Sequence, residues 1–181
     1  MIGLKRGTVT LCEHQKEWEI EAEKFISSLK EVFGDFAVDI QHIGSTSIKN
    51  IKAKPIIDIA IGVKSFDNLE QFLEPLLKIG VYRSSGQPFS DIVLFSRDDL
   101  ETGNRLNNIQ VEIYREDQWN KHILFRDYMN SHPEKAAEYE RIKIEAGNLF
   151  PNDVMSYSNY KNAFIGASID EAQIYYSNLN K

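Results

Sequence analysis

The sequence predicts an α/β fold: a mixed sheet of about four or five strands with helices on one face. Residues 56–63, IIDIAIGV, form a nearly continuous apolar run, which is typical of a central strand covered on both faces. Residues 91–97 and 108–114 are strand-like runs with no helical pattern between them, so we expect them to pair antiparallel. Helical patterns dominate the chain after residue 115.

The first elements follow from periodicity. A short strand is predicted near residues 9–11, followed by a helix that ends before Gly34. Residues 36–43 then alternate apolar with polar side chains, which predicts a strand that runs into the GSTS turn at 44–47. The apolar face of the first helix consists of Trp18, Ala22, Phe25 and Leu29.

After the central strand, Ser65 is a candidate cap for a helix with an apolar stripe over residues 69–76. Pro75 lies inside that stripe and should kink or split the helix. A strand is predicted to begin at residues 81–83, and the composition of residues 84–90, SSGQPFS, is typical of a turn or mobile loop.

The C-terminal part is predicted to be helical, with one helix around residues 119–128 and a second that begins at Pro133 and ends near Gly147. Asp153 is a candidate cap for a third helix. Ser168 and Glu171 resemble a capping box for a fourth helix. Gly166, just before them, need not interrupt a helix, so the third and fourth helices can instead be one long helix.

We therefore expect one domain over residues 1–181, with an α/β core at 1–115 and a helical part at 116–181.

Composition restricts the classes of function. The 181-residue chain has 21 Lys and Arg against 27 Asp and Glu, a net charge of −6, so bulk binding to nucleic acid or anionic membranes is disfavoured. A small anionic ligand remains compatible with this charge. Cys12, the single cysteine, excludes an internal disulfide. No apolar run approaches the roughly 20 residues that span a bilayer, and no signal peptide is evident, which favours the cytoplasm. The sequence does not determine an oligomeric state.

The turn after the first main strand is a candidate phosphate site. Gly44 lets the backbone approach a ligand closely, and the backbone N–H groups and hydroxyls of Ser45, Thr46 and Ser47 are suitable donors to an anion. The same four residues also make an adequate structural turn, so both readings stay open.

Asp58 is an ionisable group in the middle of an apolar strand, where an unpaired charge is costly. A divalent cation is one partner that would stabilise it; Lys54, Lys52 or a backbone amide is the structural alternative. Lys54, directly before the strand, could neutralise a phosphate or form a salt bridge, and His42 could contact a ligand or be a hydrogen-bonded core histidine.

Two stretches of the chain carry a resemblance to a known family. The first is HIGSTSIKNIKAKPIIDI at 42–59; the second is LFRDYMNSHPEKAAEYERIK at 124–143, followed by residues 157–161. Both resemble the GrpB family, which occurs as free-standing proteins and fused to dephospho-CoA kinase, and which is grouped with the nucleotidyltransferases. The resemblance implies a nucleotidyltransferase (polymerase β-like) fold.

The resemblance also implies site residues. Gly44 and Ser45 match the turn that holds nucleotide phosphates, and Asp58 matches the first of two metal-binding acids. The second acid position is Ala60, which cannot bind metal, so Glu112 is the best remaining partner for Asp58 in holding Mg²⁺ or Mn²⁺. Many relatives carry a His-x-His pair where this chain has Gln110 and Glu112. Gln110, Arg126, Tyr157 and Lys161 are further candidates by position.

The leading hypothesis is a metal-dependent nucleotidyltransferase that uses a nucleoside triphosphate and an unknown acceptor, with Asp58 and Glu112 as catalytic metal ligands. Ala60 motivates the alternative, a non-catalytic module that binds a nucleotide or a CoA-related ligand. A structural protein with a vestigial site is the third reading.

Overall fold

A computed structural model describes residues 2–85 and 91–179. Among them, five strands form one mixed sheet in the order β1-β2-β5-β4-β3. The strands are β1 (Ala37–Ile43), β2 (Ile57–Val63), β3 (Val81–Arg83), β4 (Ile92–Asp98) and β5 (Arg105–Ile113). Only the central β2–β5 pair is parallel; the other three pairs are antiparallel.

The five α-helices of the described residues are α1 (Glu17–Phe33), α2 (Leu73–Lys78), α3 (Asp117–Ser131), α4 (Pro133–Leu149) and α5 (Val154–Leu179). Helices α4 and α5 each pack against α3 and against each other. None of these helices is both long enough and apolar enough to span a membrane.

The strand period of two separates the sheet into an apolar face and a polar face. On the apolar face, Phe25 and Leu29 of α1 share one core with the odd-numbered residues of β2 and with Ile109 and Val111 of β5. On the polar face the pairing register aligns Asp58 with Asn108, Ala60 with Gln110 and Gly62 with Glu112.

Helix α3 covers part of the polar face. Trp119 and Ile123 pack against Ile43 and Ala60 in a small separate cluster, so helices contact both sides of the sheet. The rest of the polar face borders the candidate site.

Most expectations for the individual elements are confirmed. The first helix, the central strand and the antiparallel β4–β5 pair form as predicted, and the stripe around Pro75 is split into a 3₁₀ turn (Leu69–Phe72) followed by α2. Asp153 caps α5 by accepting hydrogen bonds from the backbone N–H groups of Met155 and Ser156.

Two expectations are wrong, and one open alternative is decided. Residues 9–11 form no strand; nearby, Cys12 makes an isolated bridge to Ala53. Of the two alternatives for the C-terminal residues, one long helix forms, because α5 continues through Gly166 and the Glu171 carboxylate bonds to Tyr128 and Lys135. Strand β5 starts at Arg105, inside the predicted connection. Of the predicted 84–90 loop, residues 86–90 lie outside the described residues.

Candidate functional site

A cavity of about 420 Å³ lies between the polar face of the sheet and helices α3, α4 and α5. Its wall brings together the turn after β1, the start of β2 and one side of α5. Its polar lining includes Ser45, Lys54, Asp58, Asn108, Gln110, Lys121, His122, Ser158, Lys161 and Asn162. Phe125, Tyr139, Ile165 and other apolar side chains complete it.

Asp58 is held at the cavity wall by the neighbouring strand. Asn108, its pairing partner on β5, donates a hydrogen bond from Nδ2 to Asp58 Oδ1 over 2.8 Å. The Asn108 Oδ1 atom in turn accepts a hydrogen bond from Arg105 Nη1 at 2.9 Å. Burial raises the pKa of the Asp58 carboxyl, while the hydrogen bond from Asn108 and the charge of Lys54 lower it.

Gly44 is required where it lies for two reasons. Its φ is +70°, a conformation that residues with a Cβ rarely adopt, and a Cβ here would lie 2.3 Å from Asp58 Oδ2. The absence of a side chain at Gly44 therefore lets the turn contact the carboxylate directly, which makes the turn and Asp58 one structural unit.

The hydroxyls of the turn are not equivalent. Thr46 is fully buried, and its Oγ1 lies 2.9 Å from His42 Nε2. Ser47 Oγ donates to Gly44 O at 2.6 Å, which closes the turn. Gly44 and Ser45 line the cavity, whereas Thr46 and Ser47 stabilise the turn itself.

Two lysines of the cavity wall contact the same aromatic ring. Lys54 Nζ lies 5.0 Å and Lys161 Nζ 4.5 Å from the centre of the Tyr157 ring, so one buried aromatic ring contacts both cations. Burial lowers the pKa of Lys54, and burial followed by repulsion from Lys54 lowers the pKa of Lys161 to about 8. The negative charge of Asp58 opposes the lowering of both lysine pKa values.

Glu112 does not share the position of Asp58. It pairs with Gly62, four residues farther along the strands, which corresponds to roughly 13 Å at 3.3 Å per residue. Glu112 is fully buried, and its Oε1 lies 2.9 Å from Nδ1 of His122, a residue of the cavity wall. Within the described residues neither Glu112 oxygen has a hydrogen-bond partner, so proximity to His122 is the main stabilising contact.

These donors do not suit a pair of divalent ions. Asp58 uses one oxygen for Asn108, Ala60 offers a methyl group, and Glu112 lies elsewhere. Among the residues that the structure describes, no three His, Cys, Asp or Glu side chains cluster as metal ligands. The donor set is compatible with at most one ion, held by Asp58 together with oxygens of a ligand.

The remaining candidates divide between the cavity and the scaffold. Gln110 lines the cavity, whereas His42 pairs with Ile59 and lies on the opposite face of the sheet. Burial, together with the charges of Arg126 and His14, lowers the pKa of His42 to about 4, so this histidine is neutral at pH 7. Arg126 donates to Gln41 Oε1 and to the backbone oxygen of His42, which links α3 to β1.

Sequence reasoning missed several residues of the wall. Asn108 lies on β5 and His122 on α3, and the sequence patterns of these segments predicted only a strand and a helix. Ser158 and Asn162 lie on α5. The position of Asn108 beside Asp58 depends on the β2–β5 pairing, which joins residues 50 positions apart. For His122, one signal was available in the sequence: a helical histidine placed soon after a strand that carries an isolated acid.

Comparisons with known proteins agree with this architecture. Residues 8–171 match the family model described as GrpB protein. The chain is 39% identical to the glutamate-rich protein GrpB of Alkalihalophilus pseudofirmus, over 94% of this chain and 99% of that one. It is 26% identical to a dephospho-CoA kinase of Mycolicibacterium paratuberculosis, over 85% of this chain but only 43% of the kinase, as expected for fused relatives.

Solved structures extend the comparison to the fold. A crystal structure of the conserved protein GrpB from Enterococcus faecalis superposes with a TM-score of 0.83 at 25% identity, over 92% of this chain and 99% of that one. The poly(U) polymerase Cid1, in complex with its short product ApU, superposes with a TM-score of 0.52 at 11% identity, over 82% of this chain and 48% of Cid1. The second match concerns the fold alone and confirms the nucleotidyltransferase (polymerase β-like) architecture. On the family model and the relatives together, the chain belongs to the GrpB family.

Proposed function

We propose that the cavity binds the phosphate groups of a nucleoside triphosphate and that lysine side chains supply most of the compensating charge. The observation that carries this proposal is that Lys54 and Lys161 contact one aromatic ring, Tyr157, and line a cavity of about 420 Å³ together with the carboxylate of Asp58. Two cations with one anion leave a net positive charge in a partly enclosed space. Such an arrangement attracts an anion.

The electrostatics of the free protein support an anionic ligand. Burial and mutual repulsion lower the pKa of Lys161, which means that its charged form is poorly stabilised without a ligand. A phosphate group between the two lysines would relieve that repulsion. The Gly44–Ser45 turn borders the same space and offers backbone and hydroxyl donors to a phosphate group.

Nucleotidyl transfer is the second candidate function, and Asp58 favours it. Asp58 matches the first metal-binding acid of the nucleotidyltransferases, and the fold is theirs. Mg²⁺ or Mn²⁺ held by Asp58 and the ligand phosphates would add Lewis-acid stabilisation of charge on the phosphate oxygens. In this chain the donor set does not support a second ion, and Lys54 and Lys161 would supply positive charge in its place.

Isothermal titration calorimetry with ATP, GTP, CTP, UTP and dephospho-CoA, each with and without Mg²⁺, tests the binding proposal. We expect at least one nucleoside triphosphate to bind, and Lys161→Gln to weaken that binding by about tenfold or more. Lys78→Gln, which removes an exposed lysine of α2, is the matched control and should leave the affinity unchanged. Equal affinities for the wild type and Lys161→Gln would reject the role of the lysines.

Transfer of label from the α-phosphate of the bound nucleotide tests catalysis separately. If Asp58 holds the ion, Asp58→Asn abolishes transfer and removes the effect of Mg²⁺ on nucleotide affinity. Mg²⁺-dependent binding that is unchanged in Asp58→Asn would exclude Asp58 as the metal ligand. Binding without transfer in the wild type would leave the module non-catalytic.

A further inference from the structure

A second cavity lies on the same face of the sheet, beside the first. Its volume is about 410 Å³, and three residues, Asp58, Asn108 and Gln110, line both cavities. The pairing register explains this layout, because Asp58, Asn108, Ser96 and Tyr82 occupy one row across β2, β5, β4 and β3. The first cavity extends from Asp58 towards α5, and the second extends along this row towards β3.

The second cavity has its own chemical character, with guanidinium groups and hydroxyls instead of lysines. Its polar wall includes Arg6, Tyr82, Ser84, Ser96 and Arg105. Ser84 and Ser96 share a hydrogen bond of 2.6 Å between their hydroxyls, and either can act as the donor. These groups can bind the hydroxyls of a polar compound.

The two arginines share a single acid. Arg105 Nε donates to Asp98 Oδ1 at 2.7 Å, and Arg6 forms an ion pair with the other oxygen of the same carboxylate. Tyr82 donates to Asp98 Oδ2 at 2.5 Å and accepts a hydrogen bond from Arg6. Two guanidinium groups with one carboxylate leave one positive charge uncompensated within this cluster, and guanidinium is well shaped to bind phosphate.

The cluster is also connected to Asp58. Arg105 donates to Asn108, and Asn108 donates to Asp58, so one chain of hydrogen bonds runs from the second cavity to the carboxylate at the boundary. A ligand in the second cavity would therefore lie next to whatever occupies the first, with Asp58 between them.

We propose that the second cavity binds a separate small molecule, a hydroxylated compound that carries a phosphate group, at the same time as the first cavity holds the nucleotide. The assignment of the neighbouring ligand rests on the proposed function above; the anion-binding role of the arginine cluster does not. Arg6 and Arg105 hold the phosphate, and the serine and tyrosine hydroxyls together with Gln110 bind the hydroxyl groups. This arrangement defines the chemical class of the nucleotide's reaction partner as a sugar phosphate or a similar phosphorylated polyol.

Calorimetry with ribose 5-phosphate, and with ribose as the uncharged probe, tests this proposal. We expect ribose 5-phosphate to bind at least tenfold more tightly than ribose, and Arg6→Gln to remove about that factor. The Arg6 side chain is 55% exposed, so this change should not prevent folding. Tyr82→Phe, which removes only the hydroxyl that links Arg6 to Asp98, is a second variant and should weaken binding in the same direction.

The control is Lys161→Gln in the first cavity, which should leave the affinity for ribose 5-phosphate unchanged. A saturating non-hydrolysable ATP analogue should also leave it within about threefold, because the two ligands occupy different cavities. Competition between the analogue and ribose 5-phosphate, equal affinity in Arg6→Gln, or no binding at millimolar concentration would each overturn the proposal. If no nucleotide binds, the proposed function fails, whereas the effect of Arg6→Gln on ribose 5-phosphate is still measured.

Discussion

The two faces of the β2–β5 pair have the same backbone and opposite roles. Ile59 and Ile61 point into a closed apolar core against α1, and both are fully buried. Asp58, one residue away, points into a cavity together with Asn108 and Gln110. Alternation along a strand thus places the residues that stabilise the fold directly behind the residues that are available for ligands. Substitutions on the two faces should therefore affect different measurements.

Ile59→Ala is the largest expected effect and tests the apolar face. Removal of a fully buried isoleucine side chain should lower the free energy of unfolding by about 2–5 kcal/mol, through lost burial and a residual cavity. Urea denaturation measures this loss. Nucleotide affinity, corrected for the folded fraction, should stay within about twofold. A large change in affinity at full folding would show that the two faces are not independent.

Gly44→Ala tests the polar face. The new Cβ would lie 2.3 Å from Asp58 Oδ2, so the carboxylate must move and its bond to Asn108 is disturbed. We expect nucleotide affinity to fall by about tenfold to a hundredfold, measured by calorimetry.

Gly103→Ala is the matched control for this substitution. Gly103 has φ +68°, close to the +70° of Gly44, but a Cβ there meets no atom within 4 Å. Both variants therefore place a Cβ at positive φ, although the ψ of −170° at Gly44 lies in a region that is essentially restricted to glycine, and only Gly44→Ala should affect binding. Equal losses of affinity in the two variants would show that strain, and not contact with Asp58, is responsible.

The pH dependence of binding is the smallest expected effect. The pKa of Lys161 is lowered to about 8, so this lysine is charged below that pH and neutral above it. Because phosphate binds the charged form, nucleotide affinity should fall as pH rises through about 8, by up to tenfold per pH unit. Calorimetry at about one pH unit on either side of 8 measures the change, and Lys161→Gln should flatten it.

The free energy of unfolding should change in the opposite direction. Between about pH 8 and the ordinary lysine value of 10.5, the unfolded chain holds a proton that folded Lys161 has lost, so this lysine makes stability rise with pH. The contribution of Lys161 to stability is fully present above about pH 10.5 and is lost as pH falls to about 8. Loss of this contribution in Lys161→Gln is measured by urea denaturation across the same range.

Periodicity was sufficient for the main elements and for the position of Asp58 within the central strand. An apolar run interrupted by one acid predicted a buried strand with a special residue, because such a carboxylate needs a partner. The role of Gly44 in the turn was also predictable from the sequence, since a glycine between a strand and small hydroxyl residues indicates that the backbone closely approaches another group. The resemblance to GrpB proteins supplied the polymerase β-like fold and added Lys161 to the candidates.

Other parts of the site depend on pairing that sequence patterns do not contain. Asp58 and Glu112 belong to adjacent strands and share a face, but the register places them four residues apart. Likewise His42 and Asp58 both lie close to the turn at 44–47. The β1–β2 register pairs Ile43 with Asp58 and His42 with Ile59, so His42 and Asp58 lie on opposite faces of the sheet. Asn108 could not be identified as the partner of Asp58, because the long-range register of β2 and β5 decides which side chains meet.

The order in which the chain supplies the cavity has a consequence for biosynthesis. The turn and Asp58 come from the first third of the sequence, Asn108 from the middle, and Lys161 from the last helix. During synthesis the core between α1 and the sheet can close as soon as β5 is available. The apolar core can therefore form on the ribosome before the wall of the cavity is complete. Docking of α5 is the step that adds the last side chains of that wall.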